Sequence, residues 1–329
     1  MAIKTDLPIS SCWIVTEGLI GLQNQAIGLA QALGLGYILK EVKKSRNWWP
    51  LFSLRKHDLI PPWPDLLISC GRQSVSASVA VRRASVNKTF TVHIQDPLID
   101  PKQFDVVIVP AHDNLRGENV FVTLGAVHHV SAAKLMSAAG HFRSLFASLP
   151  RPLISVLVGG KNRHQEFTAK TAFDFAGKLR LAASNSSGGL AISFSRRTGA
   201  ENEVIIRQGL KGCPSYIWDG SGENPYLGLL ALADVIIVTS DSISMVSEAC
   251  STGKPVYIFE LSHAGKRHKQ FCESLIQSGA VRLFSGQVEI WKNKPLEETL
   301  KAARFVQERL WERNRRDDKY ADISSRHTS

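Results

Sequence analysis

The chain has 329 residues, 44% of them apolar and 21% charged, with a formal net charge of +11. That length suits two ordinary domains, and the composition excludes a disordered chain or a membrane-embedded fold. No apolar run approaches the ~20 residues of a spanning helix, and "MAIKTDLPISSCWIV" lacks a signal-peptide core, which leads to the expectation of a cytoplasmic protein.

In the first half, short apolar runs read as strands at 12–16, 36–42, 65–70, 89–94, 105–109 and 119–123. The basic stretch 40–56 carries six Lys or Arg against one acid, with Trp48, Trp49 and Phe52 inside it. It reads either as a solvated basic loop or as a peripheral contact with an anionic membrane, because aromatic and cationic side chains together favour the bilayer interface. In the second half, strands are expected at 153–158, 189–194, 214–218, 234–239, 255–259 and 280–284. Continuous rather than alternating apolar runs mark strands buried on both faces. Helical patterns such as 23–33, 74–84, 168–184, 242–252 and 267–278 lie between them. The expectation is α/β: two doubly wound Rossmann-like domains with parallel sheets and a cleft between them. Two prolines in "ASLPRP", after a helical stretch at 131–148, place the break at 150. Residues 1–150 form the acceptor-side domain, 151–292 the nucleotide-sugar domain, and 293–329 a helix returning to the first, with a frayed tail. On that last helix the apolar positions are Leu300, Phe305, Leu310 and Trp311.

Open sheets of this kind bind ligands outside the carboxyl ends of their strands. Those ends carry small, polar or charged residues in both halves, from "EGLIGLQNQ" after residue 16 to "ELSHAGKRHK" after residue 259. "VGGKNRH" sets Gly159 and Gly160 at a strand-to-helix turn, followed by Lys161 and Arg163, a pattern that lets backbone N–H groups approach a phosphate. Arg196 and Arg197 stand at a second strand end, either solvated or paired with a diphosphate. Ser240, Asp241 and Ser242 cap a helix, and Glu248 lies nearly two turns further along the same face, either as an exposed glutamate or as an acceptor for ribose hydroxyls. The chain contains neither GxxxxGK[ST] nor GxGxxG, so ATPase and dinucleotide readings lose their fingerprints. The five cysteines (12, 70, 213, 250 and 272) are scattered without a CxxC, which argues for reduced thiols and against a zinc site. No RNP, zinc-finger or helix-turn-helix signature appears, and nucleic acid is not an expected partner.

The blocks "SFSRRT" and "YIWDGSGENPYLGLLALADVIIVTSDSISMVSEACSTGKPVYIF" resemble the C-terminal half of the mitochondrial-fission Elm family. "GLIGLQNQAIGLAQALG", "ISCGRQS", "TVHIQDP" and "IVPAHD" resemble its N-terminal half, so the likeness covers roughly residues 12–285. The same pattern is similar to GT-B glycosyltransferases generally, including the enzyme that makes lipid II. The resemblance implies a nucleotide sugar as donor, no catalytic metal and no further cofactor. It implies Gly159, Gly160, Lys161, Arg196 and Arg197 at the diphosphate, with Trp218 and the 219–224 loop, Asn224 included, bordering the base. Ser240, Asp241 and Ser242 would line the sugar-phosphate side, and Glu248 would bind ribose.

The sequence departs from that pattern in its first loop, where related loops have a His and this one has Leu22. An inverting transfer needs a base within hydrogen-bond reach of the acceptor hydroxyl. Glu17, Asp96, His112 and Asp113 are the candidates at strand ends, Asp96 and Glu17 preferred, whereas His93 lies inside a strand and reads as a core histidine. The expected activity is glycosyl transfer to a membrane-associated saccharide or glycolipid, such as a lipopolysaccharide or lipooligosaccharide core. The alternatives are a non-catalytic adaptor that recruits a protein partner and a sugar-nucleotide epimerase.

Overall fold

The structure is a computed structural model that describes residues 7, 9–42, 58–162, 165–262 and 265–326, with side chains to residue 316. The basic-aromatic stretch from residue 43 to 56, and Arg163, lie outside the described residues. The chain divides into two units: Met1–His129 with Glu297–Ser329, and Val130–Leu296.

Unit 1 is built on a parallel sheet of β1 (Cys12–Thr16), β2 (Ile38–Glu41), β3 (Leu66–Cys70), β4 (Phe90–Ile94), β5 (Val106–Pro110) and β6 (Val120–Thr123). Their order across the sheet is β2-β1-β3-β4-β5-β6. Every residue of β1, β3 and β4 is buried, as continuous apolar strands covered on both faces must be. On one face Ile14, Ile68, Val92 and Ile108 meet Ala26 and Leu29 of α1 (Ile20–Ala32) and Leu33 at its C-cap. On the other, Trp13, Val15 and Leu67 meet Ala77, Ala80 and Val81 of α2 (Ser74–Ala84). Helix α1 runs so close to the segment after β6 that a Cβ on Gly28 would lie 2.2 Å from the His128 carbonyl oxygen.

The C-terminal helix, Glu298–Arg326, buries Ala302, Ala303, Val306 and Leu310 in this same core. Its first turn is fixed by side chains. The Glu298 carboxylate accepts the Leu124 N–H at 2.7 Å, and the Thr299 hydroxyl both accepts from the His128 N–H and donates to its carbonyl, each at 3.1 Å. Of the apolar positions expected to pack, Leu310 is buried and Phe305 packs against this core half-buried, whereas Trp311 stays 40% exposed.

Unit 2 repeats the plan with β7 (Leu153–Val158), β8 (Gly189–Phe194), β9 (Ser215–Ile217), β10 (Val235–Thr239), β11 (Val256–Phe259) and β12 (Arg282–Leu283). All are parallel, in the order β12-β11-β10-β7-β8-β9. The helix expected at 131–148 begins this unit rather than closing the first. It comprises α3 (Ala132–Phe142) and a short 3-10 turn, and α3 lies against α6 (Tyr226–Leu232). There Phe142 sits so close to Gly228 that a Cβ on the glycine would be 2.6 Å from the Phe142 Cβ and 2.7 Å from its ring, and Phe146 meets Tyr216 edge-on at 5.3 Å between ring centres. That contact draws the helix into unit 2, and the boundary falls at 129 instead of 150. The core is closed by α4 (Ala169–Ser186), whose Phe175 stacks on Phe259 at 4.3 Å, and by α5 (Ala200–Gly209). The remaining helices are α7 (Ile243–Cys250) and α8 (Lys266–Gln277). All five cysteines are free thiols, and among the described residues no helix is long and apolar enough to cross a membrane.

Candidate functional site

In unit 2 the strand order reverses between β7 and β10, since β8 and β9 extend to one side of β7 while β10 and β11 extend to the other. Gly159 follows the end of β7 and Ser240 follows the end of β10, so the two loops meet at the switch point where open α/β sheets place ligands. Asp241 joins them. Its Oδ2 accepts the Gly160 N–H at 2.9 Å and pairs with the Arg197 guanidinium at 2.8 Å, while Oδ1 accepts the Thr239 hydroxyl at 2.7 Å. The Thr239 oxygen in turn accepts the Gly159 N–H at 2.7 Å. The Thr198 hydroxyl donates to the Gly159 carbonyl, and the Lys161 N–H donates to the Arg197 carbonyl at 3.1 Å.

This corrects two expectations. The amides of Gly159 and Gly160 are already bonded within the domain and are not free donors for a phosphate. Their glycines are required by close approach instead: a Cβ on Gly159 would lie 2.1 Å from Asp241 Oδ1, and one on Gly160 would lie 2.0 Å from the Arg197 carbonyl oxygen. Asp241 and Ser240 are turned inwards and buried, because a carboxylate removed from water needs several donors to replace it. The Ser240 hydroxyl accepts the Leu261 N–H at 3.0 Å and the Gln165 amide at 3.1 Å. What faces solvent at this loop pair is Lys161, Arg196 and the outer part of Arg197, whose side chain is 42% exposed. Ser242 is the N-cap of α7, its hydroxyl accepting the Met245 N–H at 3.3 Å.

Glu248 lies on α7, about 9 Å along the axis from that cap at 1.5 Å per residue. It is only 6% exposed, and burial pushes its carboxyl up to about 7 against the opposing pull of a hydrogen bond from the Tyr226 hydroxyl to Oε2. Among the described residues the carboxyl's hydrogen bond is to Oε2, and Oε1 has no hydrogen-bond partner. Tyr226, just beyond the 219–224 loop, was not among the residues the sequence pointed to. The signal was present in "ENPY": Asn-Pro ahead of an apolar run is a helix start. Asn224 Oδ1 accepts the Tyr226 N–H at 3.0 Å, and so opens α6. Trp218 is half-buried beside β8. Its indole N–H donates to the Ser221 carbonyl at 2.8 Å and its own carbonyl accepts from Arg207 at 2.9 Å, which shapes the 219–224 loop. Glu223 of that loop meets His141 of α3 at 2.7 Å.

In unit 1 the reversal lies between β1 and β3. Glu17 follows β1 and stands over Gly71, whose added Cβ would be 2.8 Å from Glu17 Oε1 and 2.6 Å from Leu22 Cδ1. Gly71 takes φ +95°, a conformation that favours glycine and leaves room for both side chains. Asp96, two residues past β4, accepts the Leu98 N–H at 2.8 Å and stays half-exposed. His112 Nε2 lies 3.6 Å from Asp113 Oδ1 and both side chains are buried. His93 is a core residue: its Nδ1 is 2.8 Å from the Ser69 hydroxyl, its ring stacks on Phe104, and burial takes it down to about 3, so it is neutral. No group of three His, Cys, Asp or Glu placed to hold a metal occurs among the described residues.

The sequence pattern of the family described as Mitochondrial fission ELM1 matches residues 20–310. The Mitochondrial fission protein ELM1 of Arabidopsis thaliana is 34% identical over 274 residues, which cover 75% of this chain and 64% of that protein. The chain therefore spans less than two thirds of that relative's length. An uncharacterized protein of Rickettsia prowazekii is 28% identical over 346 aligned residues, 89% of this chain and 97% of that one. The solved UDP-GlcNAc 2-epimerase of Methanocaldococcus jannaschii superimposes with a TM-score of 0.54 at 13% identity, covering 90% of this chain and 99% of that one. The same enzyme in complex with UDP-GlcNAc and UDP gives 0.52 at 12% identity, covering 90% and 98%. At such identities the likeness shows the fold, an α/β GT-B-like pair of doubly wound units.

Proposed function

The chain belongs to the mitochondrial fission ELM1 family, and from that membership and the site in unit 2 we propose that it is a nucleotide-sugar-dependent glycosyltransferase of GT-B type. The observation that carries this reading is Glu248, a buried carboxyl with one oxygen bonded to Tyr226 and the other without a hydrogen-bond partner among the described residues, set nearly two helical turns from the loops clasped by Asp241. Oε1 accepts a ribose hydroxyl, while the diphosphate is met by Arg197, Arg196, Lys161 and the first amides of α7. Trp218 and Asn224 border the base. Charge on the leaving nucleotide is balanced by side chains and a helix terminus, and no metal or cofactor is called for.

In unit 1, Glu17 or Asp96 serves as the general base for an acceptor hydroxyl. The acceptor is a membrane-associated saccharide or glycolipid, with a lipopolysaccharide or lipooligosaccharide core as its chemical class, and the basic residues of 40–56 approach the anionic surface from the cytoplasmic side. Isothermal titration against UDP-, GDP-, ADP- and CMP-sugars tests the donor half. Saturable binding of one of them is expected, and a folded protein that binds none defeats the proposal.

The fold shared with a UDP-GlcNAc 2-epimerase favours sugar-nucleotide epimerisation as the second reading. It predicts product from the donor alone, whereas a transferase needs acceptor. A non-catalytic adaptor of the ELM1 kind is distinguished by full function after Glu248→Ala and Arg196→Ala.

A further inference from the structure

Helix α6 is short, and side chains hold it at both ends. At its start Asn224 accepts the Tyr226 N–H. At its end the ammonium of Lys254 donates to the carbonyls of Ala231 and Ala233, which satisfies the acceptors a helix leaves open. Between them Gly228 seats the helix against Phe142. The Tyr226 hydroxyl is thus presented to Glu248 from a fixed support. Burial, and then the neighbouring Glu248 charge, hold the phenol well above its ordinary value, so it acts as a neutral donor. A phenol donor on one carboxyl oxygen fixes the side-chain rotamer and leaves the second oxygen as the acceptor without a partner among the described residues.

We propose that Tyr226 is a positioning residue for the donor: by occupying Oε2 of Glu248, it orients Oε1 to accept a ribose hydroxyl and so makes the site selective for ribonucleotides. The inference rests on the donor reading above and extends it from a contact to a selectivity. It also assigns a task to the 219–224 loop. Asn224 sets the start of α6, so movement of this loop is transmitted to the carboxyl group through Tyr226. A loop that closes over a base would thereby align the ribose acceptor as it closes.

The test is a comparison of ligands as well as of variants. Wild type, Tyr226→Phe and Glu248→Gln are titrated calorimetrically with UDP, GDP, ADP and CMP. The nucleotide that binds is then compared with its 2′,3′-dideoxy counterpart. Wild type is expected to prefer the ribonucleotide by about tenfold or more, since a hydrogen bond to a charged group is worth that much. Tyr226→Phe keeps the ring and removes only the hydroxyl, and it should weaken ribonucleotide binding while leaving dideoxynucleotide binding unchanged. The preference should collapse towards that of Glu248→Gln.

Equal losses for both ligands, or no loss for either, would show that Tyr226 serves the fold alone and would overturn the inference while the donor reading stands. A folded wild type that binds a nucleotide without preferring ribose also overturns it. A wild type that binds none of the four removes the donor reading, and this role with it. Far-ultraviolet circular dichroism confirms folding. Should Tyr226→Phe fail to fold, Lys254→Met, which releases the opposite end of the helix and touches no part of the proposed nucleotide site, carries the same comparison with the same outcomes.

Discussion

Asp241 and Arg197 form an ion pair of 2.8 Å in which the aspartate side chain is wholly buried and the arginine side chain is 42% exposed. The asymmetry matters. The acid is committed to the interior, where it also holds the Gly160 N–H and the Thr239 hydroxyl, while the base is steered outwards with nitrogens to spare. An internal carboxylate thus occupies the glycine loop that the sequence assigned to a phosphate.

Replacing that carboxylate should loosen the loop more than it alters surface charge. Asp241→Ala leaves the buried Gly160 N–H without an acceptor and is expected to cost about 2–4 kcal/mol in urea denaturation. Asp241→Asn keeps one carbonyl acceptor and should cost less than half as much. Equal costs would show that the charge, not the acceptor geometry, holds the loop.

The two adjacent arginines should separate cleanly. Arg196 is exposed, so Arg196→Ala should lower affinity for the donor nucleotide a few-fold with an unchanged urea midpoint. Arg197→Ala removes both the outward cation and a partner of Asp241, and should lower affinity about tenfold together with stability. Calorimetry on both variants beside their unfolding curves decides it.

Glu248 gives the apoprotein a pH dependence of definite sign. Burial raises its carboxyl from an ordinary 4.5 to about 7, so the folded state binds the proton more tightly than the unfolded chain. The associated stability is fully present below about 4.5 and is lost as pH rises through about 7. Glu248→Gln keeps an acceptor for Tyr226 and cannot ionise. Its stability relative to wild type should therefore improve between pH 5 and pH 8, by on the order of 3 kcal/mol. A constant difference across that range would contradict the assignment.

Gly28→Ala tests the closest helix contact of unit 1. The new methyl would meet the His128 carbonyl at 2.2 Å, which neither backbone can yield without moving α1. A loss of about 3 kcal/mol or more is expected in chemical denaturation. Gly21→Ala, on the same helix with open space around it, should be neutral or slightly stabilising.

Strands covered on both faces were legible because burial writes itself as an unbroken apolar run. The run 189–194 became β8, Gly189–Phe194, without a residue's change, and 234–239 became Val235–Thr239. Edge strands read less well. The stretch 280–284 pairs only over Arg282–Leu283, since one neighbour and partial exposure leave the pattern weak. The helix at 131–148 was visible, but which unit it packed against depended on Gly228 and Phe142, which lie far apart in the sequence. The site shows the same limit. "SDS" before a helix announces a cap, and Ser242 is one, but whether Asp241 faces a ligand or the interior is decided by Gly160, Thr239 and Arg197. Tyr226 was missed because two signals had to be joined, a helix start at Asn224 and a glutamate on a different helix.

The last helix imposes an order on biosynthesis. Ala302, Ala303, Val306 and Leu310 complete the core of the first unit, whereas residues 130–296 form the second unit without them. During synthesis at ~5–20 residues per second, the insert can reach its folded state while the N-terminal sheet still waits for its closing helix. For that interval the nascent chain displays an uncovered strip over β5 and β6, and chaperone occupancy should concentrate on the part of the protein that was made first.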